Sequence, residues 1–282
     1  MKLAIRALTF ADIDEADRIL GSAFRTSDSR RAELQLYLAL QPDGWFAAEC
    51  DGKLTGTVGA IDYGAFAYLG MMAVDPPMQR RGIARVLMQH ALAWLDARKC
   101  PTVLLDASVY GAPLYASLGF IDEGQALVYE NNAPQRLANL PAGVGPLSEL
   151  DLPALIEFDT PIFGAARANV LRASLANLPD RAFISHDASG RITGFAFARP
   201  NRIGPWVAEN IDAAEGLLRA ALSVGYDPVV RVLVPSPNAM AVDLLTRYGF
   251  QFSRAQTHMR RGKIYPARQR EWIFGQSSFA IG

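Results

Sequence analysis

Tyr68-Leu-Gly-Met-Met-Ala-Val-Asp-Pro-Pro-Met-Gln-Arg-Arg-Gly-Ile-Ala84 is the stretch on which the fold turns. Tyr68–Val74 reads as a buried strand, and Asp75-Pro76-Pro77 breaks it. Gln79-Arg80-Arg81-Gly82-Ile83-Ala84 then opens an amphipathic helix that runs from Gly82 to Ala97. The first main-chain N–H groups of a helix have no intrahelical partner, and the aligned peptide dipoles place about half a positive charge there. Gly82 and Ala84 are small enough to let a phosphate approach that main chain closely. Strand, turn and helix together make an anion site. Downstream lie a strand, Thr102–Ala107, and a short helix, Pro113–Leu118, closed by Gly119 as a left-handed cap.

In this order the segment resembles the acetyl-CoA-binding core of the GNAT N-acetyltransferase superfamily. That family's pyrophosphate signature, Gln/Arg-x-x-Gly-x-Gly/Ala, is met by Gln79, Gly82 and Ala84. Val74-Asp75-Pro76 before it and Tyr115-Ala-Ser-Leu-Gly119-Phe120 after it make the match more specific than the hexapeptide alone. The resemblance implies acetyl-CoA as cosubstrate, with Gln79, Arg80, Arg81, Gly82, Ile83 and Ala84 around its pyrophosphate. It implies that the Met72-Ala73-Val74 main chain lines the pantetheine arm and aims an N–H at the thioester oxygen. Donors of this kind are worth about 2.7–4 kcal/mol each where tested. The side chains of Met71 and Met72 read as core packing.

Tyr115 is the candidate catalytic acid. A phenol keeps its proton at neutral pH and can hand it to a departing thiolate. Ser108 stands seven residues before it, where the family often has Asn, so one pantetheine contact is expected to differ. The general base is unassigned. The strand before the anion loop carries no carboxylate ahead of Asp75; Glu49, Asp62 and Asp106 are candidates by strand-end position, and the structural reading is preferred for each. An alkylammonium must nevertheless lose its proton near neutral pH, at a cost of roughly 4 kcal/mol. His90 reads as a packing residue between Leu87 and Trp94, and His186 and His258 have no ligating spacing. Trp45, Phe46, Tyr63 and Phe66 read mostly as core.

The chain carries a weak internal repeat. The first copy predicts helices at Ala11–Phe24 and Arg30–Leu40 and strands at Trp45–Cys50 and Leu54–Tyr63 around an Asp51-Gly52 turn. The elements above follow, and a last strand at Ala126–Glu130 ends the copy. The second copy predicts helices at Leu152–Phe158 and Ala165–Ala176 and strands at Phe183–His186, Ile192–Arg199 and Trp206–Ala208. After them come a helix, Ala213–Ser223, a strand, Val229–Pro235, a helix, Asn238–Leu245, and a strand, Ser253–Arg260. Asn131–Gly145, rich in Pro, Asn and Gly, is the expected linker.

The fold expected is α/β, with two tandem GNAT-type domains over 1–135 and 144–282. Each is expected to be a mixed, mostly antiparallel sheet flanked by helices. The second copy has Glu209-Asn-Ile-Asp-Ala-Ala-Glu215 in place of the anion loop, and Leu245 in place of Tyr115. Acidic residues in a first turn satisfy the dipole and repel a pyrophosphate. That copy is therefore read as degenerate, with a tail of Trp272, Phe274 and Phe279 that packs back onto the protein. Phe163-Gly164, Gly204-Pro205-Trp-Val-Ala208 and His258-Met259-Arg260 resemble the second domain of bacterial tandem members of the family.

At 282 residues, half of them hydrophobic and a fifth charged, the chain is long enough for two globular domains. Zero net charge argues against nucleic acid and against an anionic membrane surface as partners. Two cysteines make no disulfide framework, and with three scattered histidines they offer no metal-ligand spacing. Lys2 is followed by Arg6 and Asp12, so the N-terminus does not read as a signal peptide, and the protein is expected in the cytoplasm. The expected activity is acetyl transfer to the primary amine of a small molecule, and the oligomeric state stays open. A non-catalytic coenzyme A-binding or sensing module is the rival that the missing base suggests. Protein lysine acetylation is a further rival, for which the balanced composition shows no acidic rim.

Overall fold

The computed structural model describes residues 2–137, 140–226, 228–236, 238–264 and 269–282. Ala138 and Asn139 of the expected linker lie outside the described residues. The first half runs β1 (Leu3–Ala7), α1 (Ile13–Phe24), α2 (Arg31–Leu40), β2 (Trp45–Cys50), β3 (Lys53–Asp62), β4 (Ala67–Val74), α3 (Ile83–Ala97), β5 (Thr102–Ala107), α4 (Ala112–Ala116) and β6 (Ile121–Asn131). The second half repeats the order as β7 (Val144–Pro146), α5 (Leu152–Phe163), α6 (Ala168–Asn177), β8 (Ala182–His186), β9 (Ile192–Arg199), β10 (Arg202–Ala208), α7 (Ile211–Ser223), β11 (Val230–Pro235), α8 (Ala239–Arg247) and β12 (Gln251–Gly262). A short β13 (Ile273–Gly275) follows. β1, β7 and β13 were not expected; each is short or carries too little alternation to signal itself. At the β2–β3 turn Asp51 and Gly52 both take positive φ, 51° and 80°, the geometry that Asp-Gly supplies.

The thirteen strands among the described residues form one sheet, ordered β1-β2-β3-β4-β5-β12-β6-β11-β10-β9-β8-β7, with β13 added on β10. Its pairs are antiparallel except β4–β5 and β10–β11. The sheet is mixed and mostly antiparallel, as expected, but the two halves are joined in a way no local pattern announces. β12 lies between β5 and β6, and β6 lies between β12 and β11. Each half therefore gives its last strand to the other. Long-range pairing leaves no trace in a strand's own periodicity, and here it leaves neither half with an open edge at the join.

Successive side chains of β2 face opposite layers. Trp45 and Ala47 meet α1 and α2, whereas Phe46, Ala48 and Cys50 meet α3. The α3 face is a stripe of Ile83, Leu87, Met88, Ala91, Leu92 and Leu95, whose larger side chains are each worth about 1.5–3 kcal/mol when fully buried. On the other face the halves meet. Arg202 pairs with Glu33 at 2.6 Å and Arg231 with Asp28 at 2.8 Å. Residues 276–282 run between the halves, buried except for half-buried Phe279. The Tyr37 hydroxyl lies 2.9 Å from Ser278 Oγ, the Tyr63 hydroxyl donates to the Ile281 carbonyl at 2.8 Å, and Ala280 sits so close to Gly70 that a Cβ there would collide with its Cα. The apolar tail packs back, and its target is the first half's central strand.

Candidate active site

β4 and β5 are in register only at Ala67–Val103 and Tyr68–Leu104, and beyond Tyr68 they part. A bulge drives the separation. Met71 takes φ 52°, the β3–β4 register shifts between Thr57 and Gly59, and Thr57 Oγ1 donates to the Met71 carbonyl at 2.8 Å. The main chain of Met72, Ala73 and Val74 thus borders an open wedge on its β5 side. Gln79 Nε2 donates to the Val74 carbonyl at 2.9 Å and ties the loop back to the strand.

At the mouth of the wedge stands the N-terminus of α3. Arg80 and Gly82 have φ of 65° and 82°, which turns successive N–H groups toward one side. Among the described residues nothing accepts from the N–H groups of Arg80 through Arg85. No acid lies in the first turn and no side chain caps it. Arg80, Arg81 and Gly82 are exposed, Ala84 is half-buried, and Ile83 is buried as the first residue of the helix's core stripe. Arg85 bridges to α4 through Ser117 Oγ at 3.0 Å. These features fit a pyrophosphate, with donors and dipole present and competing anions absent.

Tyr115 is buried, its ring edge-on to Phe120 at 6.0 Å, and nothing among the described residues bonds its hydroxyl. Burial pushes its pKa up to about 12, so it holds its proton. Ser108 is exposed, and its Oγ accepts from the Gly111 N–H at 3.2 Å, which occupies it as a cap on the turn into α4.

The strongest polar cluster lies just inside the point where β4 and β5 part. The Asp106 side chain is wholly buried. One of its oxygens lies 2.8 Å from His258 Nδ1, and the other accepts from the Tyr68 hydroxyl. Gln276 Nε2 reaches the Tyr68 hydroxyl at 3.0 Å and Asp106 at 3.3 Å. Burial pushes the Asp106 carboxyl up, but the bonds from His258 and Tyr68 and the charge of Arg270 outweigh it and hold it below the usual carboxylate range. The structural reading of Glu49 and Asp62 agrees with their partners, Arg6 at 2.8 Å and Arg98 at 2.9 Å. Asp106 and His258 differ. Sequence reasoning left His258 in the second copy, and only the exchange of β12 sets it opposite Asp106.

The corresponding places in the second half are closed. Asn210 caps α7 by accepting from the Ala213 N–H at 2.9 Å, and Asp212 lies in the first turn. β10 and β11 also part after two residue pairs, but β13 fills their wedge, with Phe274 against Trp206 at 5.1 Å and the Gln276 N–H on the Leu233 carbonyl at 2.8 Å. Where His258 faces Asp106, the second half sets Val128 opposite Leu233.

Residues 12–120 match the acetyltransferase (GNAT) family and residues 155–275 match a second acetyltransferase (GNAT) domain. The chain is a tandem GNAT acetyltransferase. It is 25% identical over 224 residues to the uncharacterized N-acetyltransferase YitH of Bacillus subtilis, covering 77% of this chain and 78% of the relative. A mycothiol acetyltransferase of Acidothermus cellulolyticus is 31% identical over 147 residues, 45% of this chain and 43% of that protein. Among solved structures, a candidate acetyltransferase of Pyrococcus horikoshii superposes with a TM-score of 0.88 at 26% identity, over 99% of this chain and 96% of its own. A tandem GNAT protein of the clavulanic acid biosynthesis pathway does so at 0.62 and 16% identity, over 93% and 98%, a likeness of fold.

In this tandem GNAT the second domain thus supplies β12 and the tail to the first domain's cleft. Among the described residues no group of three or more His, Cys, Asp or Glu side chains could hold a metal ion, and no helix is long and apolar enough to cross a membrane.

Proposed function

We propose that the first half transfers the acetyl group of acetyl-CoA to the primary amine of a small molecule, by direct attack in a ternary complex. The observation that carries this reading is the run of unpaired N–H groups at the start of α3 beside the β4–β5 wedge. On this reading 1–135 is the acetyl-CoA-binding unit, 144–282 is the degenerate one, and the two exchange their last strands. The protein works in the cytoplasm, with Cys50 and Cys100 as free thiols.

The amine nitrogen attacks the thioester carbonyl carbon, the N–C bond forms and the C–S bond breaks. The amine's proton passes to the Asp106–His258 pair. An ionised Asp106 keeps the proton on His258 Nδ1 and so makes Nε2 the basic nitrogen. Tyr115 gives its proton to the departing thiolate.

Calorimetric titration with acetyl-CoA tests the reading. One site per chain is expected; no binding would end it, and two sites would end the degenerate second half. Tyr115→Phe is expected to lower kcat by about 10²–10⁴-fold, the usual worth of a positioned acid, with acetyl-CoA affinity within about twofold. Steady-state thiol release reads the first quantity and the same calorimetry the second. Unchanged turnover would remove Tyr115 from the reaction.

A further inference from the structure

We propose that the acceptor is an amino carboxylate, held with its carboxylate on Arg270 and its amino group against Gln276 and the Asp106–His258 pair. The inference rests on the transferase reading and adds the chemical class of the acceptor.

Among the described residues, eight buried side-chain polar atoms have no hydrogen-bond partner, and four of them belong to Gln256, Arg270 and Gln276. Gln276 and Arg270 gather at Asp106, and Gln256 lies on the same strand face as His258. Gln276 touches both Tyr68 and Asp106. Gln256 lies two residues from His258 on the same face of β12, in regular register with β6. Arg270, just before β13, is close enough for its charge to help keep Asp106 ionised. Native interiors leave few polar groups unpaired, and a gathering of them at a candidate site asks for a missing partner.

The chemistry of the four atoms specifies that partner. Both Nη atoms of Arg270 are buried and unpaired, and a guanidinium edge with two free N–H donors matches the two oxygens of a carboxylate. The unpaired atoms of Gln256 and Gln276 are their Oε1 oxygens, which accept N–H groups. The orientation of Gln276 follows from its neighbour. An ionised carboxylate only accepts, so Nε2 must face Asp106, and Oε1 is the atom left over. One cationic fork and two carbonyl oxygens around a His–Asp pair form the complement of a molecule with a carboxylate and an amine a few atoms apart. An amine without an anionic group would leave the Arg270 guanidinium buried and unpaired.

The test is thiol release with the standard amino acids, each compared with the alkylamine left when its carboxylate is removed. The same compounds are titrated calorimetrically into protein saturated with coenzyme A. The amino acid of the preferred pair is expected to exceed its alkylamine in kcat/KM by about 100-fold. Arg270→Gln should bring that ratio down by about 10-fold to 100-fold, mainly through KM, and Arg270→Lys should restore part of it. Acetyl-CoA affinity reports that each variant is folded. Equal use of both members of every pair, or a ratio that Arg270→Gln leaves untouched, overturns the proposal while the transferase reading stands. Absence of thiol release with every compound would instead defeat the transferase reading. The titrations then still decide, since amino acid binding weakened by Arg270→Gln supports the site and no amino acid binding overturns it.

Discussion

His258→Ala is expected to cost the fold about 1.5–3 kcal/mol and to abolish measurable turnover, because it removes a hydrogen bond from the ionised, buried Asp106. His258→Asn separates the two effects. The Asn amide can still donate to Asp106 from nearly the position of Nδ1, so most of the stability should return. An amide takes no proton, so kcat should stay about 10²–10⁴-fold down. Urea denaturation and thiol release on the two variants read the two quantities. Turnover of His258→Asn within a few-fold of the unaltered protein would show that the pair is structural only. The pH dependence has a definite sign. Asp106 is depressed below its ordinary value of 3.8, so its stabilisation is fully present above that value and is lost as the pH falls through the folded-state one. Acid should therefore destabilise the protein below about pH 3.8, and His258→Ala should flatten that part of the curve.

Gly82→Val should reduce acetyl-CoA affinity by at least about 100-fold while the protein stays folded. Gly82 has φ 82°, where a β-branched residue is strained by about 1–2 kcal/mol. A Cβ there meets nothing within 4 Å, so the protein itself has room for the side chain. The space it fills is the approach to the unpaired N–H groups. Losing two charge-assisted bonds at about 1.5–3 kcal/mol each accounts for the effect. Calorimetry measures the affinity and thermal melting the fold. Retained affinity in a folded Gly82→Val protein would move the anion site elsewhere.

Much of the first half's elements were legible because their signals are local. Asp51-Gly52 needs two positive φ values, the stripe from Ile83 to Leu95 has a 3.6-residue period, and Asp75-Pro76-Pro77 stops a strand. Boundaries were less so. α5 runs on to Phe163 through Pro161, where the sequence reading stopped at Phe158, and β6 begins at Ile121 instead of Ala126. The polar, exposed start of β6 gives no alternation to read, since the residues that oppose it belong to β12.

The set of unpaired donors at the start of α3 is a property of the sequence itself, because a helix start with Gly82, no acid and two arginines carries its donors wherever it is placed. The same holds for its loss in the second copy, where Asn210 and Asp212 satisfy the helix locally. The Asp106–His258 pair and the surroundings of Arg270 and Gln276 are different in kind. Their members lie 152 and 170 residues apart for the two bonds to Asp106, on a strand given by one half to the other and on a tail that leaves β13 to cross between the halves. Local chemistry fixed the unpaired donors at the start of α3. Only tertiary pairing decided what surrounds Asp106, because a hydrogen-bonding side chain has no period that records its distant partner.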